Sequence, residues 1–400
     1  MVSFQDALDT ILKSVQRLEA TRVPLAEAVG LVLAEDVASD VDMPPFDKSA
    51  MDGFAVQAAD LATLPRTLVV VEEVAAGCTP KRPVRSGQCS RIMTGAPVPE
   101  GADTVVRVED TKPSFGKNEV DILTAPAAGS SICPRAEDVA SGAVVLRAGR
   151  LLSPLDVPIL AACGCVQVPV HPRPSVAVLS TGNEVVPPEA TPKPGQIRDA
   201  NAPYVAARLR RLGIVPHLLG IAPDKPRKLR DALSRGLKHD ALVVTGGVSI
   251  GDYDLVPAIL RDLGADILFE SVAMQPGRPT VFGRRGRAAV LGLPGNPVSV
   301  LIATELLVIP AVKKMMGYAE VNPPRRKAKL LSPAHHRPGR LAHIPGVLAE
   351  TPDGPAVRPL PYHGSAHIYA LADANCLIAL PADTADLPAS APVEVGELRV

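Results

Sequence analysis

Apolar residues at Phe4, Ala7, Leu8, Ile11, Leu12, Val15 and Leu18 recur with the helical period, so the chain is predicted to open with an amphipathic helix that Ser3 can cap. A second apolar stretch covers 24–37. From there to about Ile132 apolar residues come in short runs broken by Pro and Gly, the pattern of short strands and turns in a small β-rich domain. Residues 151–160, with Ala161 and Ala162, read as helix again and are expected to pack with the first helix. The β-rich region is then an insertion in a discontinuous helical linker.

From about Pro174 the pattern becomes strand–helix alternation. Strands are expected at 175–179, 214–219 and 242–244 and near Ile267 and Val290, with helices capped by Asn201 and Asp224 and a further helix to Leu263. Such alternation predicts a doubly wound α/β domain with a mostly parallel sheet, whose ligands sit at the carboxyl ends of strands. After 323–327 the helical signal stops, and short strands at 376–380 and 393–395 predict a small β-barrel or sandwich. The expected organisation is α/β multidomain: a helical linker over 1–42 and 133–172, a β-rich insertion over 43–132, the α/β domain over 173–322 and the β-barrel over 323–400.

Two strand ends carry the candidate chemistry. The run 241–254 leads an aliphatic strand into Gly246, Gly247 and Gly251, and the run 290–299 repeats the design before an apolar helix reaching about Met316. Glycines there let bare amides approach an anion. Amides of Gly246–Ser249 and of Gly295–Asn296 are therefore expected to hold a phosphorylated small molecule.

Composition narrows the classes. Forty-two Lys+Arg balance 42 Asp+Glu, which argues against nucleic-acid or anionic-membrane partners. Aromatics are 3% and Trp is absent, which disfavours base-stacking and sugar sites. Six cysteines lack disulfide-scaffold spacing, and no signal peptide or membrane-length apolar run is read, so a soluble cytoplasmic protein is expected. Cys163-Gly-Cys165 reads as small side chains in a helix-to-strand turn. Five of the eight histidines (His335, His336, His343, His363, His367) lie in the C-terminal region, with no Cys or acid at ligand spacing.

The segments 45–55, 91–103, 179–185, 246–254 and 292–299 together resemble the molybdopterin molybdenumtransferase (MoeA) family, to which the gephyrin E-domain also belongs. The resemblance spans nearly the whole chain. It implies an enzyme that takes adenylylated molybdopterin and molybdate, inserts the metal with Mg²⁺ and releases AMP. It further implies a homodimer joined through the linker, with the site between the molybdopterin-binding, MogA-like α/β domain of one subunit and the β-rich domain of the other. A molybdopterin adenylyltransferase is an implied partner.

Carried over position by position, the resemblance makes Asp52, Thr94, Glu184, Asp254 and Arg278 catalytic, with Asp254 and Glu184 as Mg²⁺ ligands. Asp138 matches a further family residue, although Ala136 stands where the family has glycine. Gly246, Gly247, Ser249, Pro294, Gly295 and Asn296 would hold the pterin phosphate, and Arg278, Pro279, Ser299, Arg340 and Ser365 the molybdate. The segment 275–279 reads Gln-Pro-Gly-Arg-Pro where the family writes Lys-Pro-Gly-Lys-Pro: Arg278 keeps one charge and Gln275 loses the other. His343 stands at a usual Phe, and His363 at a usual Gln. A pterin-binding scaffold, tungstate in place of molybdate, or a molybdopterin adenylyltransferase are the alternatives; the last normally lacks the linker and β-rich domain.

Overall fold

The computed structural model describes residues 1–248 and 255–398 and divides into two compact units. The first comprises 1–35, 148–153 and 167–400, the second 36–147 and 154–166.

The first unit is built on a six-stranded sheet. Its elements in chain order are β1 (Val176–Thr181), α1 (Asn201–Arg211), β2 (His217–Ala222), α2 (Pro226–Gly236), β3 (Ala241–Thr245), α3 (Val256–Asp262), β4 (Asp266–Phe269), β5 (Val281–Arg285) and β6 (Ala288–Leu293). The spatial order is 2-1-3-6-5-4: the first four strands are mutually parallel, and β5 and β4 run antiparallel at one edge. Sequence reading missed β5, because Phe282-Gly-Arg-Arg285 has neither an unbroken apolar run nor clean alternation.

Strands β1, β3 and β6 are buried on both faces, which explains their unbroken aliphatic text. Val176, Val178, Val243 and Leu291 face one core together with α1, the helices after β6 and the first helix, Phe4–Ser14. Ala177, Leu179, Leu242, Val244 and Val290 face the other, with α2 and α3. Burying helices on both faces is what makes the sheet doubly wound.

Several local expectations are corrected. Ser3 does cap the first helix, its Oγ accepting from the Asp6 amide at 3.0 Å. Asn201 does not cap α1: Asp199 Oδ1 accepts from the amides of Asn201 and Ala202 at 3.0 and 3.1 Å. Asp224 does not cap α2, which starts at Pro226; it exchanges two 3.2 Å hydrogen bonds with Asn183. The helix after β6 is not continuous. It runs from Pro297 to Ala303, widens into a π turn over Thr304–Val308 and resumes from Ile309 to Met315. The buried Glu305 inside that turn receives the Tyr204 hydroxyl and the Arg208 guanidinium at 2.5 Å each.

The C-terminal region closes into a five-stranded barrel. Arg325–Leu330, Gly354–Pro359, Leu341–Thr351, Cys376–Leu380 and Pro392–Glu397 pair in a ring, around Leu330, Val357, Ile378 and Val395. Met274–Gln275 adds to Leu341–Ala342 in parallel.

The second unit holds a six-stranded sheet whose core includes Phe54, Val56, Leu68 and Val106. It also contains the short helix Val157–Ala162, the α-helical part of the stretch read as helix from 151, whereas the first helix lies in the core of the other unit.

Candidate functional site

The strand order reverses between β1 and β3, and there the carboxyl ends of β1, β3 and β6 converge. In wound sheets this crevice is where ligands bind. β3 ends in Gly246 (φ +85°) and Gly247 (φ +63°), and both depend on lacking a side chain. A Cβ on Gly246 would stand 2.7 Å from the Thr181 carbonyl oxygen, and one on Gly247 2.9 Å from Thr181 Oγ1. A Cβ on Gly295 would lie 3.9 Å from the Gly246 Cα, so the two predicted cradles are neighbours. The Gly246 amide is used by Leu293 O at 3.0 Å. Among the described residues, the amides of Gly247, Val248, Gly295 and Asn296 find no partner. Successive free amides beside positive-φ glycines form a concavity for an anion.

The surrounding side chains fix these loops. Ser180 Oγ donates to the buried Asp199 Oδ2 at 2.6 Å and lies 3.2 Å from Thr245 Oγ1, linking β1, β3 and the start of α1. Asn201 Nδ2 donates to the Gly295 carbonyl at 2.8 Å. Asn296 Nδ2 donates to Ser365 Oγ at 2.7 Å, and the Val298 amide to Ser365 O at 3.0 Å. Ser365, predicted from the far C-terminal region, is thus brought onto the second cradle. Beside the cradles, a cavity of about 680 Å³ is lined by Gly182, Asn183, Asp199, Ala202, Pro203 and Leu218.

The remaining predicted residues fall as follows. Glu184 is exposed and its carboxylate lies over Gly182, where a Cβ would stand 2.7 Å from each oxygen. Pro294 is buried, Ser299 is buried in the helix after β6, and Pro279 and Arg340 are partly exposed. Arg278 presents an exposed side chain while its carbonyl accepts from Val272 N and Thr280 N at 2.9 Å. The addition of Gln275 to Ala342 sets this segment beside the strand that follows Arg340. Gln275 Oε1 is buried with no partner among the described residues. Ser249 and Asp254 lie outside the described residues.

A second predicted cluster forms in the β-rich unit. Asp52 Oδ1 accepts from both the Thr94 amide and the Thr94 hydroxyl, each at 2.7 Å. The amide bond first, then the hydroxyl bond, holds the Asp52 carboxyl below its ordinary pKa. The Asp138 amide donates to Met43 O at 2.9 Å, and Ala136 sits at φ +61°, a conformation that explains a family preference for glycine there.

Sequence reading missed Asp199 and the bridging role of Asn201. The signal was present as Asp199-Ala-Asn201 before an apolar helix, with two residues competing to cap one helix end. Of the two predicted Mg²⁺ ligands, Glu184 is the one within the described residues. Among the described residues, no group of three or more His, Cys, Asp or Glu is placed to hold a metal ion. An exposed carboxylate such as that of Glu184 fits Mg²⁺ that keeps most of its waters. His363 and His367 stack on each other, ring centres 4.8 Å apart.

Comparison with known proteins gives this geometry its class. Residues 177–314 match the family described as a probable molybdopterin binding domain, so the wound sheet and its cradles are an α/β domain of that class. Residues 2–164 match the MoeA N-terminal region (domain I and II), and 327–398 the MoeA C-terminal region (domain IV). The chain belongs to the MoeA family. It is 40% identical over 332 residues to the molybdopterin molybdenumtransferase of Nostoc sp., covering 80% of this chain and 76% of that protein. It is 32% identical over 415 residues to the protein of the same name from Staphylococcus aureus strain Mu50, covering 98% and 95%. The solved molybdopterin biosynthesis MoeA protein of Pyrococcus horikosii superposes with a TM-score of 0.86 at 30% identity, covering 99% of each chain. No helix among the described residues is long and apolar enough to cross a membrane.

Proposed function

We propose that this chain is a molybdopterin molybdenumtransferase of molybdenum cofactor biosynthesis, acting on adenylylated molybdopterin and molybdate and releasing AMP. The observation that carries the reading is the meeting, at the switch point of the sheet, of two glycine loops whose amides, Gly247–Val248 and Gly295–Asn296, have no partner among the described residues. Backbone N–H groups fixed in one direction suit the oxygens of a bound phosphate. The curated relatives of matching length carry that enzyme name, which supports the same assignment.

In this reading the amides hold the pterin phosphate, and Arg278, Pro279, Ser299, Arg340 and Ser365 receive molybdate. Water attacks the adenylyl phosphorus and the phosphoanhydride P–O bond to the pterin phosphate breaks. The phosphate of molybdopterin is the leaving group, and the adenylyl group is released as AMP. If a molybdate oxygen attacks instead, adenylyl-molybdate forms and water must hydrolyse it to AMP and molybdate. Asp52, kept ionised by Thr94, and Glu184 orient water or accept a proton. Glu184 with Asp254 would hold Mg²⁺, whose chemistry when bound is neutralisation of phosphate charge. The working form is a cytoplasmic homodimer in which Asp52 and Thr94 serve the neighbouring subunit's site, and a molybdopterin adenylyltransferase hands over the substrate.

Incubation of the protein with adenylylated molybdopterin, molybdate and Mg²⁺ should release AMP, measured chromatographically, and the release should need molybdate. Binding of the pterin without AMP release would instead make the chain a scaffold. Faster release with tungstate would reassign the oxyanion.

A further inference from the structure

We propose that Asn201 is a positioning residue that aims the Asn296 backbone amide into the site, with Asp199 holding Asn201 in register; this rests on the reading of Gly295–Asn296 as a phosphate cradle. A trans peptide is planar, and its carbonyl points opposite to the following N–H. Asn201 Nδ2 holds the Gly295 carbonyl at 2.8 Å, toward the start of α1. The Asn296 N–H must then point away from α1, and among the described residues it has no partner there.

Without Asn201 little would keep that orientation. Gly295 has no Cβ to restrict the rotation of the peptide, and both Gly295 and Asn296 are exposed, so water can satisfy either orientation. The opposite side of the loop is already fixed: the Asn296 side chain is tied to Ser365 Oγ, and the Val298 amide to Ser365 O. A loop held at its far end, with one free peptide between glycine and asparagine, has its amide direction set by a single donor.

Asn201 is free for this because Asp199 does the capping. Asp199 is 8% exposed; its Oδ1 takes the amides of Asn201 and Ala202, and its Oδ2 takes the Ser180 hydroxyl. The same carboxylate therefore anchors β1 and orients the first turn of α1. Helix α1 is tied a turn later to the helix that follows the cradle, where Tyr204 and Arg208 meet Glu305. The distance between the Asn201 amide group and the Gly295 carbonyl is thus fixed by a rigid frame.

The test compares wild type with Asn201→Ala. Truncation should raise the KM for adenylylated molybdopterin about tenfold, the scale of one hydrogen bond to a charged group, and raise the calorimetric Kd for molybdopterin similarly. The kcat should stay within about twofold, because the contact is made equally in ground and transition states. Asp199→Asn, which retains a carbonyl acceptor for the α1 amides, should give a smaller rise of the same kind. Unchanged KM and Kd in Asn201→Ala overturn the proposal, as does a loss of kcat that tracks a lowered Tm while KM stays constant. A wild type that neither releases AMP nor binds molybdopterin overturns the underlying functional reading; one that turns over beside an unaffected Asn201→Ala overturns the positioning role alone.

Discussion

Asp52 keeps its charge because two donors from one residue converge on a single carboxylate oxygen. The Thr94 amide is the larger influence and the hydroxyl the smaller. Thr94→Val removes the second and leaves the first, so the Asp52 pKa should rise but stay below about 3.9, the ordinary aspartate value. A carbon-detected NMR titration of Asp52 checks this; full return to the ordinary value would make the hydroxyl dominant. The sign for stability follows from the lowered folded pKa. Whatever Asp52 adds is present above the unfolded pKa and is lost as pH falls through the folded one. Met51-Asp-Gly53 and Thr94-Gly-Ala-Pro97 were each legible as turns, and their matching to a family marked them as site residues. That the two turns are bonded to each other depends on strands meeting in space, which local text does not specify.

Elements depend on positions where a side chain cannot fit. Gly246 combines φ +85° with a strand neighbour, Thr181, whose carbonyl would meet any Cβ at 2.7 Å. Gly195 has a similar φ of +83° but nothing within 4 Å of its Cβ position. Alanine at Gly195 should cost about 1–2 kcal/mol, the penalty of left-handed backbone alone. Gly246→Ala should cost more than Gly195→Ala by on the order of 1–3 kcal/mol, because overpacking adds to the strain. Urea unfolding of the two variants measures the difference; equal losses would deny that close approach of β1 requires the glycine. The paired glycines were legible as a loop signal, but the reason for Gly246 is a parallel neighbour some sixty residues away in the chain. The π turn was hidden for a similar reason. Glu305 in an apolar run reads as a misplaced charge until Tyr204 and Arg208 arrive from α1.

At the scale of the whole molecule, closure of the C-terminal barrel creates a titration with a large consequence. His343 lies on a barrel strand, 3% exposed, its ring 5.9 Å from Phe4 of the first helix and its Nδ1 without a partner among the described residues. Burial, aided by Arg325, pushes its pKa down to about 3. The folded protein therefore keeps His343 neutral while the unfolded chain takes up a proton below about pH 6.5. Stability should fall as pH drops from 6.5 toward 3, by about 1.4 kcal/mol per unit from this group. His343→Phe, restoring the family's usual residue, should flatten that limb of a plot of unfolding free energy against pH. An equally steep limb in the variant would assign the acid sensitivity elsewhere.

The amino-acid sequence alone determined which segments are strands buried on both faces and where glycine-rich turns follow them. These are properties of short windows, in which apolar runs, periodicity and turn residues act on the nearest backbone. Tertiary structure decided the rest. It chose Asp199 over Asn201 as the cap, carried Ser365 to Asn296, turned β5 antiparallel and made His343 a buried neutral base. Each of those outcomes depends on a partner remote in the chain, and only packing the cores brings such partners within hydrogen-bond reach.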